Sequence, residues 1–164
     1  MREGERELAQ RLRDAAPQGD EDECPVARSV DAIGDWWSLL IVRDAFDGSR
    51  RFGEFQRSLG VAKNILAARL RALVEGGILA VVPASEGSAY HAYVLTPKGE
   101  DLFPVVVALR QWGEAHFFDR GEAPSELLDC VQERPLRPVG IHAADGRRLG
   151  PGDTHVRKVG AAGA

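Results

Sequence analysis

Two amphipathic helical patterns separated by a short break constrain the fold of this chain more than any other feature. They lie in residues 51 to 79, RFGEFQRSLGVAKNILAARLRALVEGGIL, and the break falls around Gly60. Apolar residues recur at helical spacing on one side of each pattern, first at Phe52, Phe55 and Leu59 and then at Leu66, Leu70 and Leu73. Helices this short are unstable alone, so both must pack against a core. The pair therefore predicts a helix-turn-helix.

The flanking residues predict the rest of a winged helix-turn-helix. Before the pair, helices are expected over residues 25 to 33 and over WWSLLIVRDAF, which is apolar on most sides and therefore central. After the pair, ILAVVP and YHAYVL predict two strands joined by the turn PASEGSA. Thr96 and Pro97 can then cap and begin a long helix that runs to about Phe118 and bends at Pro104.

The predicted fold class is mainly α with a small β-hairpin (α+β). It is a winged helix-turn-helix with flanking dimerisation helices and a short C-terminal β-rich extension, because one small domain cannot bury the broad apolar stripe of the long helix. Three regions are expected. Residues 1–23 form an N-terminal helix and an acidic linker, residues 24–118 the winged helix and dimerisation domain, and residues 119–164 the extension with a disordered end.

The charge of the chain is unevenly distributed along the sequence. The net charge is −4, and residues 1 to 35 hold 5 basic and 10 acidic residues. Residues 50 to 76 reverse this balance with 6 basic and 2 acidic residues. A basic segment in an acidic chain indicates a local anionic partner such as nucleic acid, although a solvated helix face would carry the same charges.

Several other classes of protein do not fit the composition. No run of apolar residues approaches the roughly 18 to 20 needed to span a membrane, and the charged N-terminus does not resemble a signal peptide. We therefore expect a cytoplasmic protein without membrane association, and two cysteines fit a reducing compartment. The four histidines are scattered, and no nucleophile motif or phosphate-binding loop is visible, so neither enzymatic activity nor a cofactor is expected.

Residues 24 to 118 resemble the HxlR-type family of bacterial winged helix-turn-helix transcription regulators. The resemblance is carried by the Cys-Pro-Val start, by Trp-Trp before an aliphatic helix, by RFGEF, by LAARLRAL and by Leu-Thr-Pro-Lys-Gly after the wing. It implies a homodimer that binds an inverted repeat in double-stranded DNA and regulates transcription, as a repressor or an activator that responds to a small-molecule or redox signal; of these two roles we expect a repressor. The alternative is a winged helix used for association with other proteins, without a DNA target.

The resemblance also implies which residues contact DNA. Residues 62 to 71 correspond to the recognition helix, whose outward residues would face base edges or phosphate: Lys63, Asn64, Ala67, Ala68 and Arg71. Phosphate contacts are expected from the first helix and its approach, at Arg50, Arg51 and Arg57. The wing is poor in basic residues, and Ser88 and His91 would donate to phosphate there. For Arg69 two roles remain open, a DNA contact and an ion pair within the domain.

Two places are candidates for sensing a signal. Cys24 at a helix start is a redox-sensing candidate, although the acidic residues 20 to 23 oppose a stabilised thiolate and a structural role is the alternative. A pocket for a small-molecule effector is the other candidate, lined by Trp36, Trp37, Phe103 and Trp112, which could equally be ordinary core.

The C-terminal extension resembles the zinc ribbons found in some relatives. Cys130, His142 and Asp145 stand where such ribbons carry cysteine pairs. They could in principle bind zinc, but one Cys, one His and one carboxylate are an unusual set for a four-coordinate structural site. We therefore expect no metal and a ribbon that folds through packing.

Overall fold

The computed structural model describes residues 24–85, 90–119, 122 and 125–157. The helix expected within residues 1–23, the tip of the wing with Ser88 and the end of the chain lie outside the described residues. The chain forms two compact units, one ending at Phe103 and one beginning at Pro104, and they are described separately. Among the described residues, no helix has the length and apolar character to cross a membrane.

The first unit is mostly helical and ends in a small sheet and a short helix. Its elements in chain order are α1 Pro25–Ile33, α2 Trp36–Phe46, α3 Phe52–Leu59, α4 Lys63–Glu75, β1 Leu79–Pro83, β2 His91–Leu95 and α5 Pro97–Glu100. The predicted fold class is confirmed, because α3 and α4 form the helix-turn-helix and β1 and β2 form the wing. The turn between the two helices depends on Gly60, which adopts a left-handed φ of 61° that favours glycine.

The core of the first unit is built around α2. Its residues Ile41, Val42 and Ala45 are buried, and α2 packs against α3, α4 and β2. The apolar faces predicted for α3 and α4 supply the other side of the core. Phe55 and the three leucines of α4 are each at most 1% exposed. Burial of four large side chains by two short helices explains how helices of 8 and 13 residues remain folded.

The wing is an antiparallel pair of strands that is tied to the start of α3. Leu79 lies opposite Leu95, and Pro83 lies opposite His91 at the end of the pair nearest the connecting turn. The backbone N–H of Tyr93 donates to the Arg50 carbonyl at 2.7 Å, which attaches β2 to the segment before α3. The ring of Tyr93 also lies edge-on to Phe55 at 6.3 Å. The wing and the helix-turn-helix are therefore held as one assembly.

The Leu-Thr-Pro-Lys-Gly segment fastens the end of α4 to the base of the wing. The Thr96 hydroxyl donates to the Gly77 carbonyl at 2.6 Å and accepts from the Gly99 N–H at 3.1 Å, so it also caps α5. The Lys98 ammonium donates to the Gly76 carbonyl at 2.8 Å, at the C-terminal end of α4. Gly99 is buried against the Ile78 carbonyl so closely that a β-carbon there would lie 2.2 Å from the oxygen.

The prediction of one continuous helix from Pro97 to Phe118 was wrong. The structure has the short α5 and then α6 Phe103–His116, with a turn at residues 101 and 102 between them. Pro104 explains the break, because it lacks an N–H and its ring clashes with the carbonyl four residues earlier, at Glu100. The expected bend is therefore a complete interruption, and Pro104 lies in the first turn of α6, where proline is tolerated.

The second unit combines α6 with irregular chain and two short strands, β3 Ile141–His142 and β4 Arg148–Leu149, which pair antiparallel. An isolated bridge joins Leu128 to Pro135. The Gln111 side chain bonds the backbone of residues 137 and 139 as a neighbouring strand would. Its amide N–H donates to the Arg137 carbonyl at 3.0 Å, and its oxygen accepts from the Val139 N–H at 2.7 Å. The predicted β-rich extension is thus present, and α6 holds it through the side chains of Gln111 and of Arg110, which donates to the Ser125 hydroxyl at 3.1 Å.

Replacing Gly99 by alanine should destabilise the first unit. The added β-carbon would force apart α5 and the Ile78 carbonyl, which we expect to lower the free energy of unfolding by about 1 to 3 kcal/mol. Gly113→Ala in α6 is the matched control, because nothing lies within 4 Å of its β-carbon position and alanine favours a helix. Urea denaturation followed by circular dichroism measures both. Equal midpoints for Gly99→Ala and the unchanged protein would contradict the expectation.

Candidate nucleic-acid interface

The outer face of α4 is the best-defined candidate surface. Asn64, Ala68 and Arg71 are exposed and lie at i, i+4 and i+7, on the side of the helix opposite the buried leucines. Lys63 is exposed beside them at the first position of the helix, and Ala67 is half-buried at the edge of the face. The residues predicted to face base edges therefore share one side of α4, with Ala67 at its margin.

The position of α4 is fixed by a carboxylate on α2. Asp35 caps α2 by accepting from the N–H groups of Trp37 at 3.0 Å and Ser38 at 3.2 Å, and it also accepts from the buried Ser38 hydroxyl. The same Oδ1 lies 3.2 Å from Nε of Arg69 on α4. Of the two alternatives for Arg69, the structure shows the ion pair within the domain. Asp35 therefore joins the start of the central helix to the helix that carries the candidate surface.

The beginning of α4 is open to an anion. Its first residue follows Ala62, and no side chain of the described residues caps the helix. The N–H groups of the first turn are not bonded within a helix, and the helix dipole concentrates positive charge there. Together with the Lys63 ammonium, this end of α4 has the chemistry that binds phosphate.

The arginines expected to contact phosphate differ in how many hydrogen bonds their guanidinium groups already form within the protein. Arg51 is exposed, and its guanidinium forms no hydrogen bond or ion pair with the described residues. Arg57 on α3 is also exposed, although its Nε donates to the Gly53 carbonyl at 3.2 Å. Arg50 donates from one terminal nitrogen to the Ala45 carbonyl at 2.7 Å, so it closes the C-terminal end of α2. Arg50 thus has a structural role that sequence reasoning did not give it.

Glu54 holds the backbone of Arg50 and Arg51, and sequence reasoning missed it. Its carboxylate accepts from the backbone N–H of Arg50 at 2.7 Å and from that of Arg51 at 2.8 Å, across the start of α3. These hydrogen bonds hold the pKa of Glu54 below its ordinary value, the bond from Arg50 contributing most. The signal was present in the sequence, because an acidic residue three positions after a helix cap is typical of a capping box.

The predicted wing contacts are described only in part. His91 is exposed at the turn end of the wing, opposite Pro83. Ser88 lies outside the described residues, so its role stays a prediction.

Of the sensing candidates, Cys24, Trp36 and Phe103 belong to the first unit. Cys24 is partly exposed at the start of α1, and its carbonyl accepts from the Arg28 N–H at 3.1 Å, while its thiol makes no capping hydrogen bond. Trp36 is 77% exposed. Phe103 lies edge-on to Phe46 at 5.1 Å, in the first unit.

The remaining tryptophan of the predicted pocket belongs to the second unit. Trp112 packs edge-on against Phe117 at 4.9 Å and lies 5.6 Å from the His116 ring. Trp37 in the first unit is half-buried. An effector pocket formed by these aromatic residues therefore stays a prediction.

The carboxylate of the possible zinc set is already used within the extension. Asp145 accepts from Nε of Arg147 at 2.8 Å and from its backbone N–H at 3.1 Å, which also lowers the pKa of the carboxyl. Cys130 and His142 are exposed. Within the described part of the chain, no three His, Cys, Asp or Glu residues are grouped so that they could hold a metal ion.

Comparison with known proteins gives a consistent family. Residues 32–120 match the model of a family described as HxlR-like helix-turn-helix. An HTH-type transcriptional regulator of Mycobacterium tuberculosis is 46% identical over 123 residues, which are 73% of this chain and 77% of that protein. The crystal structure of PA1607, named as a proposed transcription factor, superposes with a TM-score of 0.81 at 51% identity and covers 85% of this chain and 98% of its own.

A second solved structure matches a smaller part of the chain. The redox regulator HypR in its reduced form has a TM-score of 0.52 at 31% identity, and the match covers 56% of this chain and 92% of HypR. The first 119 residues are less than three-quarters of this chain, so the 85% matched by PA1607 must include residues of the C-terminal extension. PA1607 thus shares part of the extension, whereas most of HypR is matched by little more than half of this chain.

Proposed function

This chain belongs to the HxlR-like helix-turn-helix family, and on that premise we propose that it is a sequence-specific repressor that binds an inverted repeat in double-stranded DNA as a homodimer. The relatives that it matches are DNA-binding transcription regulators and not enzymes. Two recognition helices related by a twofold axis would enter successive major grooves about one helical turn apart, roughly 34 Å. A dimer bound across a promoter would block RNA polymerase from the same DNA and prevent transcription. We propose repression for this reason.

The observation that carries the proposal is the division of α4 into two faces. Leucines dock one face on the core, while Asn64, Ala68 and Arg71 on the other face are exposed and have no side-chain partner among the described residues. Asn pairs with the edge of adenine, Arg with guanine or phosphate, and a small alanine side chain can lie against the methyl group of thymine. Lys63 and Ala67 complete the proposed base-reading surface.

Phosphate contacts would set the orientation of α4 on the duplex. We assign them to Arg51 and Arg57 beside α3, to the remaining guanidinium donors of Arg50, and to Ser88 and His91 of the wing. Because these contacts release bound cations from DNA, they make affinity depend on salt and not on sequence.

One substitution on α4 and one on α3 should separate sequence reading from general affinity. Asn64→Ala should reduce the preference for the operator over other DNA by about 1 to 3 kcal/mol. Arg57→Gln should weaken binding to all sequences alike and lower the slope of log affinity against log salt by about 1. Fluorescence anisotropy with promoter and scrambled duplexes at several salt concentrations measures both. Binding that is indifferent to salt would contradict DNA binding and favour a protein-association module.

The dimer is proposed from an apolar stripe on α6. Val105, Leu109 and Trp112 are 44%, 46% and 56% exposed and lie at i, i+4 and i+7, so they form one continuous face. A monomer rarely leaves such a stripe uncovered, and symmetric pairing of two copies is the most common solution. We therefore propose that a second copy of this chain covers the stripe.

A charge within the stripe should dissociate the dimer. Leu109→Glu places a carboxylate inside the proposed interface, where its desolvation is unfavourable, so sedimentation should show monomers. Val131→Glu is the matched control, since Val131 is 90% exposed in the second unit and lies outside the stripe. If Leu109→Glu sediments like the unchanged protein, the stripe is not the dimer interface.

An oxidant is the signal that the available observations favour. Cys24 is a partly exposed thiol at the start of α1, and HypR, 31% identical to this chain, is named a redox regulator. We propose that oxidation of Cys24 changes the spacing of the two α4 helices, whereas a small molecule among Trp36, Trp37, Phe103 and Trp112 is the alternative signal.

The thiol proposal predicts that peroxide alters DNA binding only when Cys24 is present. Binding to the promoter duplex is measured with and without peroxide, for the unchanged protein and for Cys24→Ser. Cys130→Ser is the control for the second thiol. A peroxide effect that survives in Cys24→Ser, or no effect in the unchanged protein, would redirect the search to a ligand among the aromatic residues.

A further inference from the structure

The second half of the C-terminal extension is strongly basic. Residues 134 to 157, called the basic segment here, contain five exposed arginines: Arg134, Arg137, Arg147, Arg148 and Arg157. The same segment contains two acidic residues and two exposed histidines. We propose that the basic segment is a second DNA-contacting surface, which binds the phosphate backbone independently of α4. The proposal rests on the DNA binding proposed above, but it does not depend on α4 reading a sequence.

The two acidic residues of the basic segment are occupied within the segment itself. Asp145 forms an ion pair with Arg147 at 2.8 Å. Asp153 accepts from the Gly150 N–H at 2.8 Å and belongs to the 3-10 turn Pro151–Asp153. One arginine is therefore neutralised, and the other four keep their charge.

Those four arginines are available to a partner. The guanidinium groups of Arg134, Arg137, Arg148 and Arg157 make no hydrogen bond or ion pair with the described residues. A surface arginine usually gains little from a pair with a single carboxylate, but four unpaired cations in 24 residues repel one another, and this repulsion is relieved by polyanions.

The backbone holds two of these arginines, Arg137 and Arg148, in defined positions. His142 and Arg148 lie directly opposite each other on β3 and β4, so their side chains project from the same face. Both pass over Gly140, where a β-carbon would lie 3.0 Å from the His142 ring and 3.8 Å from Nε of Arg148. The carbonyl of Arg137 is bound by Gln111. A surface organised in advance loses less conformational entropy on binding.

The choice of cation favours phosphate as the group recognised. The basic side chains of lysine or arginine type from 134 to 157 are all arginines, and the planar guanidinium forms paired hydrogen bonds with phosphate oxygens. Contacts of this kind carry no sequence information, so the basic segment should increase affinity for any duplex. PA1607, whose match includes part of the extension, is itself named as a proposed transcription factor.

The test removes three of the unpaired charges and measures the dependence of DNA affinity on salt. Arg134, Arg137 and Arg148 are changed together to Gln in the full chain, and a second variant carries Lys at all three positions. Anisotropy titrations use a promoter duplex and a scrambled duplex, each several helical turns long. The Gln variant should lower the slope of log affinity against log salt by about 2 to 3 on both duplexes. The Lys variant keeps the charge and should retain most of the slope.

Each result decides the inference. A lower slope with Gln but not with Lys supports phosphate contact by the basic segment. This conclusion holds even if the protein shows no preference for the promoter duplex. The lack of such a preference would overturn only the proposed sequence-specific function. An unchanged slope in the Gln variant overturns the inference and leaves the proposed function intact. Equal losses in the Gln and Lys variants, or a lower melting temperature in both, would show that the arginines support the fold and overturn it as well. No salt-dependent binding by the unchanged protein overturns both.

Discussion

The packing of the α4 leucines against α2 is the interaction on which the rest of the first unit depends. It determines the rotation of α4 about its axis, and that rotation alone decides that Asn64 and Arg71 face outward. Burial of three leucines contributes several kcal/mol, at about 1.5 to 3 for each side chain, which exceeds any single polar contact of the helix. The ion pair between Asp35 and Arg69 then fixes the lateral position of α4, although its partial exposure keeps its contribution small.

Much of this unit could be predicted, because its pattern is local. The spacing of the apolar residues predicts the helices and their buried faces. The role of Asp35 as a helix cap and of Gly60 in the turn can be predicted from the residue types that helix ends and turns prefer. What the sequence could not supply are contacts between distant residues. Lys98 on Gly76 and Thr96 on Gly77 join residues about twenty positions apart, and no periodicity reports such a pairing. The prediction of a continuous helix through Pro104 was wrong for a local reason. The apolar stripe repeats at helical spacing on both sides of Pro104, but proline lacks the N–H that a continuous helix needs at that position.

The extension shows how a ribbon-like element can hold its turns with carboxylates. Asp129 accepts from the Val131 N–H at 2.7 Å, and Asp145 accepts from the backbone and side chain of Arg147. Asp side chains commonly bond backbone groups two residues onward in this way. The sequence indicated that Cys130, His142 and Asp145 are too few and too unusual for a structural zinc site, but it could not show that Asp145 is paired with an arginine. The use of that carboxylate inside the fold leaves the other arginines of the basic segment uncompensated.

The two faces of α4 also separate what natural selection can change from what it must keep. Stability depends on Leu66, Leu70 and Leu73, whereas the side chains at the outward positions 64, 68 and 71 are exposed and form no hydrogen bond or ion pair with the described residues. Substitutions at such surface positions usually alter stability by less than about 0.5 kcal/mol. A duplicated copy of this gene could therefore acquire a different operator through a few changes on one helix, without compensating mutations elsewhere. The architecture is in this sense evolvable, since innovation is confined to positions that folding does not use.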